Sequence, residues 1–235
     1  MSKLAFIFPG QGAQKAGMGK DFYENSEAAR SFFDQAQKIL DFDLKEMCFG
    51  EHEELNLTEY TQPCMVSVCL AIVQELKKRG INPDITAGLS LGEYAAVAAA
   101  DGMNELDAIK LVRRRGILMQ STVPAGEGAM AAVLGLDAKK IEEILESFEN
   151  VWIANYNCPG QIVITGLTNE VQQASLALKE AGAKRVVELK VSGPFHSLLL
   201  KPAGEALLKE MESMSFSTLQ VPYVANATAE IVTDS

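Results

Sequence analysis

Residues 81–100, INPDITAGLSLGEYAAVAAA, join a strand to a helix with no linker between them. Ile81 to Gly88 has the pattern of a short strand, and the alanine-rich segment after it is a small-residue helix that can pack tightly on a sheet. At the junction stands Gly88-Leu89-Ser90-Leu91-Gly92, a G-x-S-x-G. A strand-to-helix turn this tight needs small residues on both sides, because bulk at either glycine would collide with backbone. It projects the serine hydroxyl at the C-terminal edge of a sheet, with the next N–H facing an incoming carbonyl. The helix start adds partial positive charge there. A glycine-rich βα turn with an incidental serine fits the same five residues.

Working outward, Leu4 to Phe8 is an apolar strand ending at Pro9-Gly10. Ser26 to Leu40 has helical spacing, with Ser26 as N-cap, and Met65 to Lys78 is a strongly apolar helix stopped by Gly80. Asn104 opens a further helix through Gln120. The texture changes near Gly126. Ala129–Leu134 reads as strand, Asp137–Phe148 as helix, Val151–Tyr156 and Gln161–Thr165 as strands, Asn169–Ala181 as helix and Arg185–Lys190 as strand. This β-α-β-β-α-β order is that of the split βαβ, ferredoxin-like unit. It predicts a small subdomain at 127–190 inserted in a larger α/β body made of 1–126 and 191–235. The body resumes with a helix at Leu198–Met214 and a strand at Val221–Ala225.

Composition narrows the function. Lys plus Arg number 21 against 31 Asp plus Glu, a net charge of −10, so no nucleic acid partner is expected. At 48% hydrophobic and 22% charged, the chain is neither disordered nor collagen-like. Cys48, Cys64, Cys69 and Cys158 form no CxxC, and with only His52 and His196 beside them no metal site is expected. Free thiols in a reducing cytoplasm are the simple expectation. The opening MSKLAFIFPG is too short for a signal peptide core. No stretch reaches the ~20 apolar residues of a membrane span. A soluble, cytoplasmic protein with no membrane partner is expected.

A serine nucleophile needs a base. His52 lies in an acidic loop, Glu51-His52-Glu53-Glu54. His196 lies in Val191-Ser192-Gly193-Pro194-Phe195-His196-Ser197, just after a predicted strand, where sites in α/β folds assemble. A loop histidine satisfied by backbone is the alternative. Phe8-Pro9-Gly10-Gln11-Gly12-Ala13-Gln14 is not a P-loop; it is either a plain turn or half of an oxyanion hole, the N–H after Ser90 being the other half. On the helix through Arg113-Arg114-Arg115, Arg115 shares a face with Leu111, Val112, Leu118 and Met119. An arginine on an apolar face needs an anion, either a protein carboxylate or a substrate carboxylate gripped bidentately.

Five separated motifs, FPGQGAQ, GLSLGEYAA, RRRGILMQ, NYNCPGQIVITG and VSGPFHS, occur in the order found in the malonyl-CoA:acyl carrier protein transacylases, and essentially the whole chain resembles that family. The resemblance implies a large α/β-hydrolase-like (patatin-like) domain with an inserted ferredoxin-like subdomain. It implies Ser90 as nucleophile, His196 as base, Gln11 and Leu91 as oxyanion-hole donors, Arg115 as the grip on the malonyl carboxylate, and Met119 as a pocket residue. Malonyl-CoA and acyl carrier protein would be the partners, with no metal or bound organic cofactor. Phe195 before His196 resembles the malonyl-selective members. Two departures stand out, of which the one at Leu89 is expected to be tolerated. Leu89 stands where many members have His, and members continue several dozen residues past Ser235, so the chain is expected to lack the C-terminal part of the large domain. That part supplies the carbonyl that orients the histidine.

Two other functions compete. A serine esterase or thioesterase would need an acid for His196, with Asp101, Asp107 and Asp137 as candidates. An inactive fragment that only binds acyl carrier protein is the non-enzyme alternative. Docking that acidic protein calls for basic residues near the site, and Arg113, Arg114, Lys184, Arg185, Lys190 and Lys201 are the candidates.

Overall fold

The computed structural model describes residues 3–124, 126–189, 191 and 193–234. The chain divides into two compact units, Met1–Ile117 with Lys209–Ser235, and Leu118–Leu208. The first contains β1 (Ala5–Phe8), α1 (Lys20–Asn25), α2 (Glu27–Ile39), α3 (Leu44–Phe49), a 3-10 turn (Glu53–Asn56), α4 (Thr58–Lys78), β2 (Ile85–Gly88) and α5 (Gly92–Ala99). Helix α6 (Glu105–Thr122) carries the chain into the second unit, which holds β3 (Gly128–Leu134), α7 (Ala138–Leu145), β4 (Val151–Cys158), β5 (Gln161–Leu167), α8 (Thr168–Glu180) and β6 (Arg185–Glu188). Helix α9 (Lys201–Glu212) leads back to β7 (Tyr223–Val224) and β8 (Ile231–Val232) of the first unit.

The first unit's sheet has the order β1-β2-β7-β8. Strands β1, β2 and β7 are parallel, and β8 turns back antiparallel on β7. Phe8 lies in register with Gly88, so the loops after β1 and β2 leave the same edge side by side. The helices bury Phe33, Leu70 and Ile109 in one core, and Ala95, Ala96, Ala98 and Ala99 of α5 pack into it. A helix whose inner face is alanine can come close to its neighbours, as the alanine run predicts.

Several boundaries differ from the sequence expectation: β2 begins at Ile85 rather than Ile81, and the helix expected over Asp137–Phe148 spans Ala138–Leu145. Ser26 does cap α2, accepting from the Ala29 N–H at 3.0 Å. Helix α4, however, begins at Thr58 rather than Met65 and contains Pro63. Proline lacks the N–H that would bond the Glu59 carbonyl and normally costs a helix that bond. Here the Arg113 Nη1 donates to the Glu59 carbonyl at 2.7 Å, so the lost partner is replaced from another helix. The helix expected from Leu198 begins as a 3-10 turn, Leu198–Leu200, before α9.

The second unit's sheet is antiparallel throughout, in the order β4-β5-β3-β6. The two-residue period of β3 divides it between two cores. Ala129, Ala131 and Val133 pack with Ile141, Leu145, Val171 and Leu178 of α7 and α8. Met130 and Ala132 face a second cluster formed by Val163, Phe195, Leu200 and Ala203.

Candidate active site

The elbow at Ser90 is built from close approach. A Cβ on Gly88 would lie 2.0 Å from the Gly92 carbonyl carbon, and one on Gly92 would lie 2.3 Å from the Phe8 carbonyl oxygen. Real carbon atoms cannot stand that close, so both positions are closed to any side chain. Ser90 itself has φ 50°, in the left-handed region that costs a non-glycine residue on the order of 1–3 kcal/mol. The turn is tied to β1 by the Leu89 N–H, which donates to the Phe8 carbonyl at 3.1 Å. The Ser90 N–H donates to the Asn226 side-chain oxygen. The Asn226 N–H in turn donates to Glu93 Oε1 at 2.8 Å.

Donors for an anion remain at this edge. The N–H of Leu91, at the start of α5, and that of Gln11, in the loop after β1, have no acceptor among the described residues. The Gln11 side chain is anchored by donating to Thr58 Oγ1 at 3.1 Å. Leu91 is buried, so its amide direction is held by packing.

Arg115 comes to Ser90. Its Nη2 donates to Ser90 Oγ at 3.2 Å, and its guanidinium lies 5.4 Å from the centre of the Tyr94 ring. Burial raises the Tyr94 phenol above its ordinary pKa, and the Arg115 charge works against that rise. Among the described residues no carboxylate pairs with Arg115. Of the two anions the sequence left open for it, the protein carboxylate is therefore not there.

Arg113 has the opposite fate and leaves the group of docking candidates. It grips Asp41 through two bonds of 3.0 Å, reaches Glu59 Oε2 at 3.0 Å, and stacks over Phe42 and Tyr60. Its side chain is only 11% exposed. The Arg113 hydrogen bonds hold the Asp41 carboxyl below the usual carboxylate range. Arg114 pairs with Glu210, and Lys201 lies 3.8 Å from Glu205. Lys184 and Arg185 are exposed, while Lys190 lies outside the described residues.

His196 and Met119 belong to the second unit. His196 is exposed and, like Ser90, left-handed, at φ 60°. Its turn is closed by Ser197 Oγ donating to the Pro194 carbonyl at 2.7 Å and by the Phe195 N–H donating to the Gly193 carbonyl at 3.0 Å. Phe195 is sunk in the cluster that Met119 also packs against. The acids that an esterase would require are engaged elsewhere. Asp101 holds Lys77 at 2.9 Å, Asp107 holds Lys110 at 3.2 Å, and Asp137 caps α7 through the Lys139 N–H. His52 pairs with Glu46 at 3.0 Å.

Asn226, Glu93 and Tyr94 complete the surroundings of Ser90 and were not found from sequence. The hint for Asn226 is a polar Asn-Ala-Thr directly after a strand expected in the same sheet. Among the described residues no cluster of His, Cys, Asp and Glu is placed to hold a metal ion, and no helix is long and apolar enough to cross a membrane.

Comparison with known proteins agrees on ancestry. The acyl transferase domain family matches residues 5–233. The chain is 46% identical over 239 residues to the malonyl CoA-acyl carrier protein transacylase of Bacillus subtilis (strain 168), covering all of this chain and 75% of that protein. An acyl carrier protein S-malonyltransferase from Vibrio cholerae superposes with a TM-score of 0.94 at 40% identity, over 99% of this chain and 78% of that one. A malonyl-transacylase solved with its type II polyketide synthase acyl carrier protein gives 0.95 at 39% identity, over 99% of this chain and 77% of that one. The chain thus spans about three quarters of the length of these relatives. With a G-x-S-x-G elbow, an arginine at its serine and this likeness from end to end, the chain belongs to the malonyl CoA-acyl carrier protein transacylases of the acyl transferase domain family.

Proposed function

We propose that this chain moves malonyl groups from malonyl-CoA to the phosphopantetheine thiol of acyl carrier protein, by way of a malonyl ester on Ser90. The observation that carries the reading is Arg115 Nη2 at 3.2 Å from Ser90 Oγ, with no protein carboxylate to neutralise it among the described residues. A guanidinium beside a nucleophile suits a substrate whose acyl group ends in a carboxylate. A hydrolase of neutral esters has no use for it.

In the first half-reaction His196 removes the Ser90 Oγ proton as Oγ attacks the thioester carbonyl carbon. The N–H groups of Leu91 and Gln11 receive the oxyanion, a donor of this kind being worth about 3 kcal/mol in acyl transfer. The C–S bond breaks, and CoA leaves as the thiol with the proton from His196. In the second half the carrier thiol gives its proton to His196 and attacks the ester, and Ser90 Oγ takes the proton back as the C–O bond breaks. Met119 borders the acyl group. The chemistry asks for no metal or organic cofactor, and a cytoplasmic site of action goes with this reading.

The large body is proposed to be patatin-like, supported by the parallel β1-β2-β7 core with its strand–serine–helix turn. Calling the second unit's sheet ferredoxin-like is supported by its antiparallel order β4-β5-β3-β6 and its β-α-β-β-α-β chain order.

Intact-protein mass after brief exposure to malonyl-CoA tests the function. A malonyl adduct on the wild type that is absent in Ser90→Ala and discharged by holo acyl carrier protein is expected. A folded protein that takes up no malonyl, or an adduct that persists in Ser90→Ala, would overturn it.

A further inference from the structure

Asn226 lies 136 residues beyond Ser90 in sequence, yet its side-chain oxygen accepts the nucleophile's own N–H. Resting on the malonyl-Ser90 reading, we infer that Asn226 is a positioning residue that holds the serine in its reactive left-handed conformation and decides which elbow amide is left for the oxyanion.

The elbow's own residues cannot do this. Gly88 and Gly92 are closed to side chains, and the backbone bonds there belong to other groups: the Leu89 N–H goes to Phe8, the Gly92 N–H to Leu89 and the Glu93 N–H to Ser90. That leaves the N–H groups of Ser90 and Leu91 at the turn. The torsion φ turns about the N–Cα bond, so fixing the direction of the Ser90 N–H fixes the plane from which its φ of 50° is measured. Asn226 supplies the fixed acceptor. It also removes the Ser90 N–H from competition for an anion, so that the Leu91 N–H alone remains at the helix start.

Asn226 is itself held at two points. Its N–H donates to Glu93 Oε1 at 2.8 Å, on the first turn of α5, and its loop is closed by the Ala225 N–H donating to the Glu230 carbonyl at 2.9 Å. Strands β7 and β8 flank it, and β7 pairs in parallel with β2, the strand that ends at Gly88.

The test compares Asn226→Leu, which keeps the volume and loses the acceptor, with Asn226→Asp, which keeps an acceptor. Single-turnover malonylation is followed at varied malonyl-CoA, and hydrogen exchange of the Ser90 amide by NMR. In Asn226→Leu the maximal acylation rate is expected to fall about thirtyfold with half-saturation nearly unchanged, as misplacement of a reacting group does. Its Ser90 amide is expected to exchange about tenfold faster, while amides in the middle of α5 keep their protection. Asn226→Asp is expected to recover the rate to within about fivefold of wild type, the acceptor being restored. Unchanged Ser90 exchange in Asn226→Leu, or equal losses in both variants tracking lost thermal stability, would overturn the inference. Failure of the wild type to load malonyl would instead count against the malonyl-Ser90 reading, and the exchange measurement would still decide whether Asn226 holds the elbow.

Discussion

Arg113 and Arg115 stand two residues apart on α6, and the protein uses the same charge in opposite ways. Arg113 is enclosed: two bonds to Asp41, two acceptors on Glu59 and two aromatic rings occupy all of its faces. Arg115, among the described residues, meets only the Tyr94 ring and phenol and the Ser90 hydroxyl. One arginine is finished by the fold; the other is proposed to be finished by a substrate. A half-buried cation without a carboxylate partner among the described residues is a cost to stability, and such costs collect where binding requires them.

Four substitutions probe that contrast, in falling order of effect. Arg115→Ala should slow malonyl loading by about a thousandfold, ~4 kcal/mol, because the substrate carboxylate loses its partner. Its melting temperature should stay at the wild-type value or rise, which calorimetry checks; a large loss of stability would mean that Arg115 is structural after all. Arg113→Ala should behave in reverse. Urea unfolding should show about 3 kcal/mol lost, since two carboxylates and the Glu59 carbonyl lose their donor together. Loading per folded molecule should be unchanged.

Asp41→Asn should cost less, about 1 kcal/mol or below, because Asp41 lies at the solvent side of the pair. Its pH signature is specific. The folded carboxyl titrates below its ordinary value of 3.8 because of Arg113, so the stabilisation is complete above that value and is lost as pH falls through the lower, folded one. The wild type should therefore lose more stability than Asp41→Asn as pH falls from 5 to below 3.8. Equal acid sensitivity would show that the pair contributes nothing. Arg114→Ala, which breaks only an exposed pair with Glu210, should change stability by about 0.5 kcal/mol or less in the same unfolding assay.

How much of this is legible in sequence depends on distance along the chain. The elbow is, because a strand, two glycines and a small-residue helix lie within twenty residues and steric limits act locally. Arg115 is legible as an arginine on an apolar face, although its choice between a protein anion and a substrate anion is not. The Arg113 cage is hidden, since Asp41 and Glu59 lie 72 and 54 residues away. For the same reason the start of α4 at Thr58 is missed: at Pro63 the sequence shows a missing N–H and not the guanidinium that replaces it. Asn226 is the extreme case, a single polar residue whose meaning exists only once β7 is laid beside β2. Helices α1 and α3 escape notice because six residues each hold too few turns for a periodicity to emerge.

The measurement that bears most directly on the contrast is the ratio of malonyl to acetyl loading, taken from single-turnover rates on the wild type and on Arg115→Ala. Acetyl has no carboxylate, so it offers Arg115 no partner. The wild type should strongly favour malonyl, and the variant's ratio should fall towards one while its stability is retained. A variant that kept the wild-type preference would contradict the account, and would place the grip on the malonyl carboxylate elsewhere.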